Sequence, residues 1–145
     1  MQVDFYQLAG TPPEQVIAKL AEKVLQADGR LLIVAGDEAF LARLDRMLWD
    51  QGPNSFLPHG LVGTADDARQ PILLSTSVDA PNQARHMLIA DGNWREAALT
   101  YDRSFYLFDT STLEEARLAW KLLAGREGIE RRYWNREDGE WVRKS

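Results

Sequence analysis

The sequence predicts an α/β fold with a mostly parallel sheet flanked by helices. Short apolar runs of strand length recur along the chain, and stretches of helical period separate them. Arg30–Ala35 (R-L-L-I-V-A) is nearly unbroken in its apolarity, as suits a strand covered on both faces. The 145 residues fit one domain, and no repeat or shift in composition divides them. Residues 1–145 are therefore expected to form a single domain. Residues 129–145 would be a C-terminal extension packing on that domain or on a partner.

Each element has its own signal. Val3–Leu8 is short, apolar and aromatic, and reads as the first strand. Thr11-Pro12-Pro13-Glu14 reads as a helix start, with Thr11 as the cap, Pro12 at the first position and Glu14 completing a capping box. Val16, Ile17, Leu20, Ala21 and Val24 share one face of that helix, and Asp28-Gly29 ends it. After the Arg30–Ala35 strand, Asp37 caps a second helix whose stripe is Phe40, Leu41, Leu44, Met47 and Leu48. Trp49 falls off that stripe. Gln51–Arg69 reads as loop. Pro71–Ser75 and His86–Ala90 read as strands, Trp94–Leu99 as a short helix, and Ser104–Phe108 (S-F-Y-L-F) as a strand rich in aromatics. Asp109-Thr110-Ser111 can cap a helix over Leu113–Ala124, which Gly125 and Gly128 close.

Charge is unevenly distributed along the chain. The formal net charge is -5. Residues 1–113 carry 9 Lys/Arg against 15 Asp/Glu, whereas residues 114–145 carry 8 against 7. An acidic body disfavours wrapping by nucleic acid, whose affinity comes largely from neutralised phosphates. Direct DNA contact is thus expected to be weak or absent, even though Arg131, Arg132, Trp134 and Trp141 are of the types that line stacking grooves. The chain has no cysteine, no basic segment leading into an apolar run, and no apolar run long enough to cross a bilayer. A soluble, cytoplasmic protein without membrane contact is the expectation.

Enzyme signals are few. Residues 8–14 read L-A-G-T-P-P-E, with one glycine and two prolines where a dinucleotide fingerprint needs a glycine-rich turn. No phosphate-binding loop and no G-x-S-x-G occurs. His59 and His86, the only histidines, form no metal-binding pair, and His59 suits a structural hydrogen bond in a turn. Asp79, Asp91, Asp102 and Asp109 lie near element ends, where carboxylates serve turns and helix starts. No catalytic residue, cofactor or metal is expected. The alternative is a small α/β enzyme or nucleotide-binding protein with an unrecognised site.

The segment L-E-E-A-R-L-A-W-K is the most pointed feature. On a helix, Arg117, Trp120 and Lys121 are neighbours at spacings of three and four. Leu113, Ala116, Trp120, Leu123 and Ala124 would form the buried side, with Ala119 at its margin. Two cations beside an aromatic suit an acidic peptide ending in a hydrophobic residue and a carboxylate, because Arg grips a carboxylate through two N–H groups. The bland reading is that Trp120 is core and that Arg117 and Lys121 are solvated or paired with Glu114 or Glu127. Leu118 and Leu122 point away from the stripe. Trp49 and Phe56 make a second candidate surface, since aromatics of this kind are enriched at interface centres.

The order of several segments resembles the chi subunit family of bacterial DNA polymerase III. They are V-D-F-Y-Q-L, R-L-L-I-V-A-G-D-E-A-F-L-A-R-L-D-R-M-L-W, S-F-L-P-H-G-L, P-I-L-L-S, A-R-L-A-W-K and Y-W-N. The resemblance implies a Rossmann-like domain without a phosphate-binding loop and a non-catalytic subunit of the clamp-loader assembly. It implies binding of the acidic C-terminal tail of single-stranded DNA-binding protein, linking the replisome to coated lagging-strand DNA. It places the tail site at Arg117, Trp120 and Lys121. It places a second partner surface, for a psi subunit or a helicase-like repair protein, at Trp49 and Phe56. Leu113 stands where the family's tail site carries a further lysine, and Arg103, Arg131 and Arg132 are the cations left to supply that charge.

Overall fold

A computed structural model describes residues 1–50 and 57–145. The chain runs β1 (Gln2–Gln7), α1 (Pro13–Gln26), β2 (Leu31–Val34), α2 (Glu38–Trp49), β3 (His59–Leu61), β4 (Ile72–Ser75), β5 (His86–Ile89), β6 (Arg103–Phe108), α3 (Leu113–Leu122), β7 (Glu130–Glu137) and β8 (Glu140–Arg143). The strands form one sheet in the order β3-β4-β2-β5-β6-β1-β7-β8. Every pairing is parallel except that of β8 on β7. This is the mostly parallel, helix-flanked sheet that the apolar runs predict. No helix among the described residues is long and apolar enough to cross a membrane.

Alternation sorts side chains onto two faces. Leu31 and Ile33 of β2 join α1 and α2 in one core; Leu32 and Val34 join Ala116 and Ala119 of α3 and Leu123 just after it in the other. β1 divides likewise, with Tyr6, and Leu8 just beyond the strand, on the α1 face and Val3 and Phe5 on the α3 face. The central strands are buried on both sides, which is why they read as unbroken apolar runs.

Several boundaries differ from the sequence reading. α1 starts at Pro13, and Pro12 rather than Thr11 is its cap, with no side-chain hydrogen bond. A residue before proline is pushed to extended backbone, so Pro12 (ψ 129) cannot be helical and the capping box never forms. His59–Leu61 is a short edge strand inside the stretch read as loop, held by β4 rather than by any pattern of its own. The expected Trp94–Leu99 helix is a 3₁₀ turn over Glu96–Thr100. α3 ends at Leu122, and Ala124 is exposed, not buried. Gly125, at φ 73, follows directly in left-handed backbone.

Residues 130–143 form a hairpin added to the sheet beside β1. Asp138-Gly139 turns it, both residues having positive φ (49 and 79), as a two-residue hairpin turn requires. Asp4 anchors it from below. This fully buried carboxylate accepts from Arg103 Nε (2.7 Å), Gln2 Nε2 (3.0 Å) and Trp134 Nε1 (3.1 Å), so donors from β1, β6 and β7 meet on one side chain.

Candidate partner-binding site on α3

Asp109 caps the 3₁₀ turn Thr110–Thr112 that leads into α3, whereas Thr112, the residue before α3, makes no side-chain cap of its own. The Asp109 carboxylate accepts from Ser111 Oγ (2.6 Å) and Ser111 N (2.9 Å), while Thr112 Oγ1 accepts from Asp109 N (3.1 Å). These bonds, the Ser111 hydroxyl first, hold the Asp109 carboxyl below the ordinary range. Glu114 and Glu115 in the first turn and Lys121 in the last complement the helix dipole. Ala116, Ala119 and Leu123 are buried, and Leu113 and Trp120 are partly buried against the same core. Ala119 is thus a central core residue rather than a marginal one. Leu118 and Leu122 face outward, 66% and 53% exposed.

The three expected site residues lie together. Arg117 is exposed and pairs loosely with Glu114 at 3.4 Å, one of the two pairings that the bland reading allows. Lys121 is exposed and makes no ion pair with a carboxylate among the described residues. Trp120 meets Phe5 (5.2 Å between ring centroids, 87°) and Tyr133 (5.7 Å, 89°) edge to face. These contacts fix the indole on its inner sides while part of it remains accessible.

β7 supplies a wall that helical spacing alone does not reveal. Arg131 lays its guanidinium over the Trp120 ring, 3.9 Å from the centroid, and donates from Nη1 to Trp120 O at 2.6 Å. Two residues on, Tyr133 donates its hydroxyl to Gln7 Oε1 at 2.7 Å. Burial raises the Tyr133 pKa, and the nearby Arg117 charge works against that rise. Of the three cations that the sequence offers to this site, Arg103, Arg131 and Arg132, Arg131 is the one in contact with Trp120. The other two cations considered are engaged elsewhere. Arg103 is paired with Asp4 at 2.7 Å and lies over Phe105, and Arg132 pairs with Glu130 at 3.0 Å.

Trp49 lies at the end of α2, near the opposite edge of the sheet, and is 49% exposed. Its ring centroid is 4.1 Å from that of His59. His59 is buried, with Nδ1 2.6 Å from Leu57 O and Nε2 3.0 Å from Asp45 O. It is a structural histidine, as the sequence suggests, but it stands at the start of β3 rather than in a turn. Phe56, the other residue of that surface, lies outside the described residues. Trp49 is thus separate from the α3 site.

At the carboxyl ends of the strands, where α/β folds hold nucleotides, there is a cleft of about 290 Å³ lined by Leu8, Asp37, Phe40, Asp91 and Asp109 among others. Its carboxylates serve the backbone: Asp37 accepts from Ala39 N (2.9 Å), Asp91 from Gly36 N (2.8 Å), and Asp109 from Ser111 N (2.9 Å) at the 3₁₀ turn before α3. Pro12 and Pro13 remove two N–H groups from the start of α1, where a phosphate would bind. No group of three His, Cys, Asp or Glu suited to a metal occurs among the described residues.

The family model described as DNA polymerase III chi subunit, HolC, matches residues 1–130. The chain belongs to this family. It is 33% identical over 91 residues to the chi subunit of Pseudomonas aeruginosa, covering 61% of this chain and 62% of that one. The figures are 33% over 76 residues for Haemophilus influenzae (52% and 53% covered) and 30% over 77 for Escherichia coli (53% and 52%). The matched stretch spans half to three fifths of these relatives. Among solved structures, the C-terminal domain of Saccharomyces cerevisiae Dbp5, bound to Gle1 and IP6, superposes with a TM-score of 0.60. It does so at 12% identity over 91% of this chain and 89% of the other, a likeness of fold alone. The relatives in this family are named as subunits of DNA polymerase III. All of β7 after its first residue lies beyond the family match.

Proposed function

We propose that this chi-family chain is a non-catalytic adaptor that binds the acidic C-terminal tail of single-stranded DNA-binding protein. In that role it ties the clamp-loader assembly to coated lagging-strand DNA in the cytoplasm. The observation that carries this reading is the accessible α3 surface on which Arg117 and Lys121 flank a rigidly held Trp120. The tail's terminal carboxylate pairs with Arg117, displacing the loose Glu114 contact, and its last apolar side chain packs beside Trp120. Lys121 adds attraction for acidic residues further up the tail.

Calorimetric titration with the last ten residues of the host binding protein tests this. Binding that weakens without the terminal hydrophobic residue, with rising salt, and in Arg117→Glu supports the site. A folded Arg117→Glu protein that binds the peptide like wild type at low salt removes it.

The exposed Trp49 supports a second proposal, that the α2–β3 end receives a psi subunit or a helicase-like protein. Trp49→Ala should abolish co-purification with that partner and leave tail binding intact. Retained co-purification excludes Trp49 from the interface.

A further inference from the structure

We propose that Arg131, on the strand beyond the family match, is a fixed second anion receptor of the α3 site, taking a side-chain carboxylate of the bound acidic peptide. The inference rests on the peptide-binding reading above. Its basis is the state of the five cations from Arg117 to Arg132 in the chain. Arg117 already contacts Glu114 at 3.4 Å, Arg132 is held by Glu130, and Arg126 by Glu96 at 3.5 Å. Among the described residues, Lys121 and Arg131 alone of this group make no ion pair with a carboxylate. They differ in order. Lys121 is an exposed, flexible chain. Arg131 is partly buried and pinned by the Trp120 ring at 3.9 Å and by Trp120 O at 2.6 Å.

That pinning matters for binding. A guanidinium carries five N–H donors, of which the bond to Trp120 O takes one. A planar cation already oriented loses little side-chain entropy when a carboxylate arrives. Its position also suits an extended ligand. Arg131 and Tyr133 point to the same face of β7, roughly 7 Å apart along the strand, and both meet Trp120. Trp120 links the two cations: Arg117 stands one turn before it on α3, and Arg131 lies over its ring. A peptide whose terminal carboxylate sits on Arg117 can bring a preceding acidic side chain to Arg131.

The test is titration of the full chain with the acidic decapeptide at several salt concentrations, using wild type, Arg131→Gln and Arg131→Lys. Arg131→Gln should weaken binding by about tenfold and flatten its salt dependence. Arg131→Lys should restore the salt dependence but only part of the affinity. Neutralising the peptide's acidic side chains one at a time should weaken wild-type binding, and at one position should have no further effect in Arg131→Gln. Unchanged affinity in Arg131→Gln overturns the proposal. So does an affinity loss with wild-type salt dependence and no coupling to any peptide carboxylate, which marks Arg131 as merely a support for Trp120. Wild-type protein that binds no peptide overturns the tail-binding reading itself, together with this inference.

Discussion

At the end of β5, Asp91 accepts from Arg95 Nη1 (2.8 Å) and Nη2 (3.0 Å), Gly36 N (2.8 Å) and Asn93 N (3.1 Å). Burial alone would raise its pKa, but the Arg95 and backbone bonds outweigh it and leave the carboxyl below its ordinary value. A depressed carboxyl contributes stability above its unfolded pKa, near ~4, and that contribution disappears as pH falls through the folded value. Asp91→Asn should therefore cost about 1–3 kcal/mol at pH 7 in urea titrations, because four donors lose their charged acceptor. The gap to wild type should close below pH ~4; a gap unchanged at pH 3 would refute the linkage. His86 works on the basic side of this window. Burial, aided by Arg103, lowers its pKa, so the folded chain favours the neutral ring. Stability should decline as pH falls below ~6.5 toward the folded value, and His86→Phe should flatten that part of the profile in the same titrations.

Among the elements, the β7–β8 hairpin has the most to lose from a single change. Trp134 lies nearly parallel to Tyr6 (6.1 Å, 9°) and donates to the buried Asp4, while Trp141 meets Tyr6 edge-on at 5.0 Å. Trp134→Ala should cost about 2–4 kcal/mol by denaturant unfolding, since it removes an aromatic contact and one donor to a buried charge. A loss under 0.5 kcal/mol would show that the hairpin is held by its backbone ladder alone. This element also marks the limit of what the sequence made legible. Leu31–Val34 and Ile72–Ser75 declare themselves because burial on both faces demands unbroken apolarity. E-R-R-Y-W-N-R-E does not, because it gains its strand character from pairing with β1 and keeps charged side chains on both faces. The site divides in the same way. Arg117, Trp120 and Lys121 follow from helical spacing, whereas Arg131 meets Trp120 only through the crossover from α3 to β7, a contact with no local signature.

For the whole molecule, the sheet makes the hairpin and the central strands neighbours in one hydrogen-bonded array, since β1 pairs with β6 on one side and β7 on the other. Both cores run along it: Tyr6 and Phe5, adjacent in β1, belong to opposite faces. Loosening residues 129–145 would uncover β1, Trp120 and the Asp4 cluster together, leaving a buried carboxylate short of a donor. Residues 1–145 should therefore unfold as one cooperative unit. Far-UV circular dichroism reports the helices and strands throughout. Tryptophan fluorescence is weighted to the α3 and hairpin side, because Trp94, Trp120, Trp134 and Trp141 pack against the cores while Trp49 is half exposed. The two signals should give coincident urea transitions with one midpoint. A fluorescence transition at clearly lower urea would mean that the hairpin is a separate unit docked on a self-sufficient domain. The Arg131 contribution to the α3 site would then be lost before the fold itself.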